Sequence, residues 1–381
     1  MIVANVPLRF AARVSLGIAL ACAVSLARAD DIEVLDPNFA SPDPEGALVW
    51  YDAAALGVLN RGWDDVAAPY DRLPARAEAV APPSVWSLSR ESAGLAIHFR
   101  SDSSELAARW SLTNESLAMP HMPATGVSGL DLYARDGCCW RWAAGARPER
   151  QKDNQAQLAG GIPEGMQEYL LFLPLYNGVE KLEIGIRPDA RLARAEASEK
   201  RPIVFYGTSI TQGGCAARPG MAYPAILQQR LGRGAINLGF SGNGRMEPVM
   251  AELIAELDAA VFVLDCLPNM TPELVTERIA PFVRRLREAH PDTPILLVEN
   301  ITYQRTWFVT GEGGHAPKNR ALRKEYEALI AEGVTGLRYL PGDALLGEDN
   351  LGTVDGTHPT DVGFLRMADT MEPVLRELLG E

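Results

Sequence analysis

The chain has 381 residues, 47% of them apolar and 22% charged, with a formal net charge of -13. That is enough chain for two domains, and the composition is that of a folded protein with a sizeable core rather than a disordered one. The acidic balance, with no basic run of five or more residues, excludes nucleic acid and anionic membrane surfaces as expected partners.

Residues 1–29 read as a secretory signal peptide. Arg9 and Arg13 supply the positive start, residues 14–26 are apolar, and Ala27-Arg28-Ala29 matches the small-x-small cleavage pattern. The apolar stretch is too short to span a bilayer. Cleavage after Ala29 removes three arginines and no acid, which takes the charge from -13 to -16. The expectation is a periplasmic or secreted protein with no transmembrane segment in its mature form. Four cysteines remain, Cys138, Cys139, Cys215 and Cys266. Export permits disulfides, but four cysteines allow three pairings and spacing does not choose among them. With no C-x-x-C spacing, no metal is expected.

Residues 30–195 show short runs of β character broken by turn residues. Leu95-Ala-Ile-His-Phe-Arg100, Ala107-Ala-Arg-Trp-Ser-Leu112 and Gly129-Leu-Asp-Leu-Tyr133 begin the series. Trp140-Arg-Trp142, Tyr169-Leu-Leu-Phe-Leu173 and Lys181-Leu-Glu-Ile-Gly-Ile186 continue it. Several alternate apolar with polar, which predicts an all-β sandwich or jelly roll. Residues 191–201 are charged and alanine-rich and read as a connector.

The pattern changes in residues 196–381. Pro202-Ile-Val-Phe-Tyr206, Ala259-Ala-Val-Phe-Val-Leu264 and Pro294-Ile-Leu-Leu-Val298 are continuous apolar runs, as strands buried on both faces of a parallel sheet require. Helices are predicted over 248–257, 272–289, 318–331 and 361–379, with Thr271 and Asp361 as N-caps. Strand alternating with helix predicts a doubly wound α/β domain, whose ligands bind outside the carboxyl ends of its strands.

Four segments stand at such ends. Gly207-Thr-Ser-Ile-Thr-Gln-Gly-Gly214 offers Ser209 as a nucleophile on a strand-to-helix turn, although a serine there can also be a helix cap. Asn237-Leu-Gly-Phe-Ser-Gly-Asn-Gly244 lets backbone approach a ligand, with the Gly242 N–H as an oxyanion donor. Asp265-Cys-Leu-Pro-Asn269 offers the Asn269 amide as a further donor. In Asp355-Gly-Thr-His-Pro-Thr-Asp361, a carboxylate three residues before His358 can orient the imidazole so that its far nitrogen takes the serine proton. Of five histidines, His98, His121, His290, His315 and His358, only the last has such a partner in a loop at that end of the sheet.

With these four blocks in order, residues 200–381 resemble the SGNH hydrolases, also called GDSL esterases. Ser209, Gly242, Asn269 and His358 stand at the positions that name the family, and Asp355 completes the triad. Gly207-Thr208-Ser209 replaces the usual Gly-Asp-Ser. Gly129-Leu-Asp-Leu-Tyr133 is similar to the GxDLY signature of a β-module that precedes such domains, and Arg72-Leu-Pro74 and Val85-Trp-Ser-Leu-Ser-Arg90 look like other parts of it. The resemblance implies a three-layer α/β/α, flavodoxin-like hydrolase domain after the sandwich, no cofactor, and an acyl-enzyme mechanism. It further implies a carbohydrate acetylesterase, acting on a small-molecule or oligosaccharide ester.

Three rivals stand beside that reading: a lipid esterase or phospholipase, an acyltransferase on the same fold, and an inactive glycan-binding protein. Tyr303, Trp307 and Phe308 are candidate substrate residues, since a sugar or an acyl chain can rest on aromatic rings. The oligomeric state is left open by the sequence.

Overall fold

The computed structural model describes residues 33–43, 46–196, 198–309 and 313–381. The expected signal peptide lies outside them. Among the described residues the first half holds eleven strands: β1 (Ser41–Pro42), β2 (Val49–Asp52), β3 (Val58–Leu59), β4 (Ala96–Ser101), β5 (Glu105–Leu112), β6 (Leu130–Asp136), β7 (Cys139–Ala146), β8 (Asn154–Gly160), β9 (Gln167–Phe172), β10 (Val179–Ile186) and β11 (Leu192–Arg194). They form two antiparallel sheets, ordered β1-β2-β10-β5-β8 and β11-β4-β9-β6-β7, with β3 paired to β4. Two short helices, α1 (Pro83–Ser89) and α2 (Ala124–Val127), interrupt the series.

The two-residue period of a strand explains the sandwich core. Leu106, Ala108, Trp110 and Leu112 of β5 lie beside Leu182, Ile184 and Ile186 of its neighbour β10 on the inner face of one sheet, while Arg109, Lys181 and Glu183 point outward. In β9 both faces are apolar for a different reason. Tyr169 and Leu171 enter the sandwich core, whereas Leu170 and Phe172 pack outward against Ala225 of the second half.

That second half contains β12 (Ile203–Gly207), β13 (Ala235–Gly239), β14 (Val261–Asp265), β15 (Ile295–Val298) and β16 (Leu337–Leu340) as one parallel sheet, ordered β13-β12-β14-β15-β16. Between and after them come α3 (Ser209–Gln212), α4 (Tyr223–Leu231), α5 (Pro248–Ile254), α6 (Pro272–Ala289), α7 (Ala316–Ala331) and α8 (Asp361–Leu379). Alternate residues of each strand serve opposite layers. Val204, Tyr206, Phe262 and Leu264 join the core under α5, α6 and α7, and Ile203, Phe205, Val261 and Val263 join the one under α4 and α8. The result is the expected three-layer α/β/α arrangement after a β-sandwich. The strand order reverses at β12, so the crevice between the ends of β12 and β14 is where a ligand is expected.

Two expectations need correction. Residues 192–194 of the expected connector form β11, which pairs with β4. The cap of α8 is Thr360, whose hydroxyl accepts from the Gly363 N–H; Asp361 is the first helical residue, and its carboxylate accepts instead from the Ala217 N–H at 2.9 Å. Residues 63–88 add no strand to the sandwich, although Tyr70 enters its core. Trp63, Leu73, Ala77, Ala81 and Val85 form a strap packed on one face of the parallel sheet.

Residues 33–381 form one compact unit, and its internal seam is polar as well as apolar. Arg72 is 1% exposed, and its guanidinium donates to the carbonyls of Leu88, Glu91 and Gly239, each at 2.7 Å, and of Asn237 at 3.2 Å. Asp131, the acid of the GxDLY motif, accepts from Arg218 and from the Gly220 N–H, both at 2.8 Å. Of the tryptophans in the first half, Trp50, Trp63 and Trp110 are buried, Trp86 and Trp140 half-buried and Trp142 exposed, and the Trp142 indole N–H is engaged by Asp131 at 2.9 Å.

All four cysteines of the described residues are free thiols; Cys138 and Cys139 are exposed and Cys215 and Cys266 buried. Alkylation of the reduced native chain is therefore expected to label Cys138 and Cys139 promptly. Cys215 and Cys266 should react only after unfolding, and peptide mass mapping distinguishes the two classes.

Candidate active site

Ser209 is the first residue of α3, directly after β12. The Thr208 hydroxyl caps the turn by accepting from the Ile210 N–H at 3.3 Å, so the serine expected here is not itself the cap. Its backbone N–H, in the first turn, has no carbonyl four residues back to bond. Three further bonds hold the turn from its carbonyl side: the Gly213 N–H at 3.0 Å, the Gly214 N–H at 2.7 Å and the Tyr176 hydroxyl at 3.1 Å all donate to the Ser209 carbonyl.

The loop carrying Asp355 and His358 closes through the Val354 N–H, which donates to the His358 carbonyl at 2.8 Å, and through a bridge between Thr353 and Pro359. This folds the carboxylate back onto the ring. His358 Nδ1 lies 2.7 Å from Asp355 Oδ2, and His358 Nε2 lies 2.9 Å from Ser209 Oγ. Burial works against the charged Asp355. The His358 ring and the backbone N–H groups of His358 and Thr357 outweigh it and hold the carboxyl down at about 2. It is thus an ionised acceptor at neutral pH, which assigns the Nδ1 proton to the Asp355 side and leaves Nε2 to accept from the Ser209 hydroxyl.

Gly242 occupies the turn after β13 with φ +67°, a left-handed conformation that suits glycine. The turn closes through the Asn243 N–H onto the Phe240 carbonyl at 2.9 Å and is tied to β12 by the Phe240 N–H onto the Gly207 carbonyl at 3.0 Å. Asn269 follows β14, and its amide donates to the Asn243 carbonyl at 2.7 Å, leaving a second amide hydrogen. Ser209, Asp355 and His358 are thus joined directly, and Asn269 is joined to the Gly242 turn.

A cavity of about 300 Å³ opens beside His358. Gly214 and Ser241 line it from the hydrolase half; a Cβ on Gly214 would crowd the Tyr176 hydroxyl at 2.8 Å and His358 Cδ2 at 3.3 Å. The rest of the lining comes from the first half: Leu88, Glu91, Met119, His121, Met122 and Tyr176. The His121 ring stands 6.0 Å from that of His358. None of these six was a sequence candidate, because proximity to His358 exists only once the two halves are docked. A larger cavity of about 750 Å³, lined in part by Tyr133, Trp140, Arg218 and Arg230, contains no histidine.

Tyr303, Trp307 and Phe308 are not among the residues lining the cavity beside His358. Tyr303 is partly buried against the core and meets His315 edge-on. Trp307 and Phe308 are 75% and 77% exposed and lean on each other at 5.5 Å. Their loop touches the Asp355 loop through the Gln304 N–H to the Gly356 carbonyl at 3.3 Å and the Thr353 hydroxyl to Gln304 at 2.9 Å.

Burial pushes the Glu91 carboxyl up to about 7, although Arg72 and the Gln212 amide pull the other way. The folded chain therefore holds this proton more tightly than the unfolded one. The associated stability is complete below the ordinary value of 4.5 and is lost as the pH rises through about 7. Glu91→Gln is expected to flatten the dependence of Tm on pH across that window and to be more stable than the parent at about pH 8, as thermal unfolding across pH would show.

The comparisons with known proteins agree with this architecture. The model of the GDSL-like lipase/acylhydrolase family matches residues 200–376, and that of the N-terminus of SGNH_hydro-type esterases, GxDLY, matches residues 48–192. A structure assigned as a GDSL-like lipase from Bacteroides ovatus is 36% identical, with a TM-score of 0.83 over 87% of this chain and 98% of that one. The salicylyl-acyltransferase of a tetracycline biosynthetic pathway shares the fold at 23% identity, with a TM-score of 0.69 over 92% of this chain and 98% of its own. So does a family two carbohydrate esterase from Clostridium thermocellum, at 15% identity and a TM-score of 0.56 over 76% and 93%. No curated protein sequence matches. The chain belongs to the GDSL-like lipase/acylhydrolase family, the SGNH hydrolases, and carries the GxDLY module before its hydrolase domain.

Proposed function

We propose that the protein is a serine esterase that removes short acyl groups, acetyl above all, from carbohydrate. The observation that carries this is the unbroken chain from Ser209 Oγ through His358 to Asp355, at 2.9 and 2.7 Å, beside a cavity of about 300 Å³. His358 Nε2 takes the proton from Ser209 Oγ as the oxygen attacks the ester carbonyl. The oxyanion rests on the N–H groups of Ser209 and Gly242 and on the Asn269 amide. Collapse of the tetrahedral intermediate expels the alcohol, which leaves with the proton from Nε2. Water, deprotonated by the same nitrogen, then releases the acid and restores Ser209.

The cavity supports a small acyl group rather than a long chain. Its walls are partly apolar (Leu88, Met119, Met122) and partly polar (His121, Ser241), which suits an acetyl ester of a polyol. The fold is shared with a carbohydrate esterase and with an acyltransferase. Trp307 and Phe308 are exposed on the loop that Gln304 ties to the Asp355 loop, and offer rings on which a sugar can stack. Residues 1–29 act as an export signal, which places the enzyme where acetylated glycans occur; among the described residues no helix is long and apolar enough to cross a membrane.

The test is acetate release from a panel of acetylated oligosaccharides, with Ser209→Ala as blank. A series of p-nitrophenyl esters is expected to show acetyl preferred over octanoyl in kcat/KM. A preference for octanoyl would replace this reading with a lipid esterase. Acyl transfer to an added alcohol outpacing hydrolysis would replace it with an acyltransferase.

A further inference from the structure

The hydrogen bonds behind the Gly242 turn lead out of the hydrolase half. Gln212, buried three residues after Ser209, accepts the Ser241 N–H on its Oε1 at 2.9 Å. Its Nε2 donates to the Leu175 carbonyl at 3.0 Å and to Glu91 Oε2. The Leu175 carbonyl is a pure acceptor and the Ser241 N–H a pure donor, so the amide is locked in the orientation that presents Nε2 to Leu175 and Oε1 to Ser241. Glu91 is itself fixed. Its carbonyl accepts from Arg72 Nε at 2.7 Å, and the same guanidinium holds the Gly239 carbonyl at 2.7 Å, where β13 enters the turn. On the far side the Ser84 hydroxyl donates to Asn243 Oδ1 at 2.8 Å.

We propose that Glu91 is a positioning residue for the esterase reaction: through Gln212 it sets the Ser241–Gly242 backbone so that the Gly242 N–H meets the developing oxyanion. The inference rests on the esterase reading above. Oxyanion donors act by being aimed before charge develops, so a slack turn costs transition-state stabilisation and leaves ground-state binding nearly intact. The preceding module thereby has a catalytic consequence beyond covering the cleft. Its strap, residues 63–88, and the Glu91 that follows brace the turn.

The experiment uses the full chain, p-nitrophenyl acetate, and a small alkyl boronic acid whose tetrahedral adduct on Ser209 places an oxygen among the donors. Glu91→Ala is expected to lower kcat by roughly tenfold, about the worth of one positional hydrogen bond, with KM within about twofold. Boronate affinity should fall by the same factor. Glu91→Gln keeps an acceptor for Gln212 and should recover kcat to within about threefold of the parent. Glu91→Ala combined with Gln212→Ala should be no slower than Gln212→Ala alone, since both cut one relay. The relay is overturned by an unchanged kcat in Glu91→Ala, by a loss confined to KM, or by losses that multiply in the double variant. Turnover that survives Ser209→Ala instead overturns the esterase reading beneath it.

Discussion

Ser209→Ala is expected to lower kcat on p-nitrophenyl acetate by on the order of 10⁴-fold or more, while Tm and the circular dichroism spectrum stay those of the parent. The magnitude follows from the geometry. Ser209 Oγ is the atom hydrogen-bonded to His358 Nε2, and alanine leaves neither nucleophile nor a path for the proton. His358→Ala should be nearly as damaging, because the two act as one unit. Asp355→Asn should cost less than the loss of Ser209, since it alters the orientation and tautomer of the ring rather than removing a reacting atom. Asn269→Ala should cost about 10²-fold, the usual worth of one oxyanion donor. Initial rates across these four variants separate a triad with an oxyanion site from adventitious surface hydrolysis, which would leave them alike.

Asp131→Ala is expected to be the most destabilising single change at the seam between the halves. The Asp131 side chain is fully buried and serves Arg218, the Gly220 N–H and the Trp142 indole, while Arg218 also donates to the Tyr133 hydroxyl. Burial pushes the Asp131 carboxyl up and Arg218 only partly offsets this, whereas on Arg218 burial is the largest single effect and is outweighed by Asp131 and Tyr133 together. The attraction thus answers a desolvation cost without exceeding it by much. Removing one partner exposes that cost, so Asp131→Ala should lose about 3–5 kcal/mol. The corresponding fall in Tm is on the order of 5–10 °C in a protein of this size. Replacing both partners, as Asp131→Leu with Arg218→Met, should be milder than the single change. Thermal melts of the three variants decide the matter; a double variant worse than Asp131→Ala would mean that the pair contributes more than it costs.

This seam gives the GxDLY motif a physical meaning that its residues alone do not disclose. Gly129-Leu-Asp-Leu-Tyr133 reads in sequence as a strand, and as a strand its acid should face water. It faces Arg218 because the outer surface of that sheet is covered by the hydrolase half, as the buried Leu170 and Phe172 of β9 also record. Strands β12, β14 and β15 were legible because burial on both faces leaves continuous apolar runs, whereas the edge strands β13 and β16 leave no such run; three of the four blocks stand at strand ends, and the fourth was legible from its acid three residues before a histidine. The cleft walls were not. Glu91, His121 and Tyr176 are remote in sequence from Ser209, and their periodicity says nothing of docking. The strap of residues 63–88 was hidden for the same reason: Trp63, Leu73 and Val85 are spaced as core residues, but not visibly as the core of the other half.

The central claim is that Ser209 carries the acyl group. Acid quenching of the enzyme during turnover of an acetyl ester, followed by peptide mass mapping, tests it most directly. A single added acetyl group is expected on the peptide containing Ser209, accumulating with the burst of released alcohol and absent from Ser209→Ala. Full turnover with that peptide unmodified, or with the acetyl group on another residue that retains activity in Ser209→Ala, would contradict it.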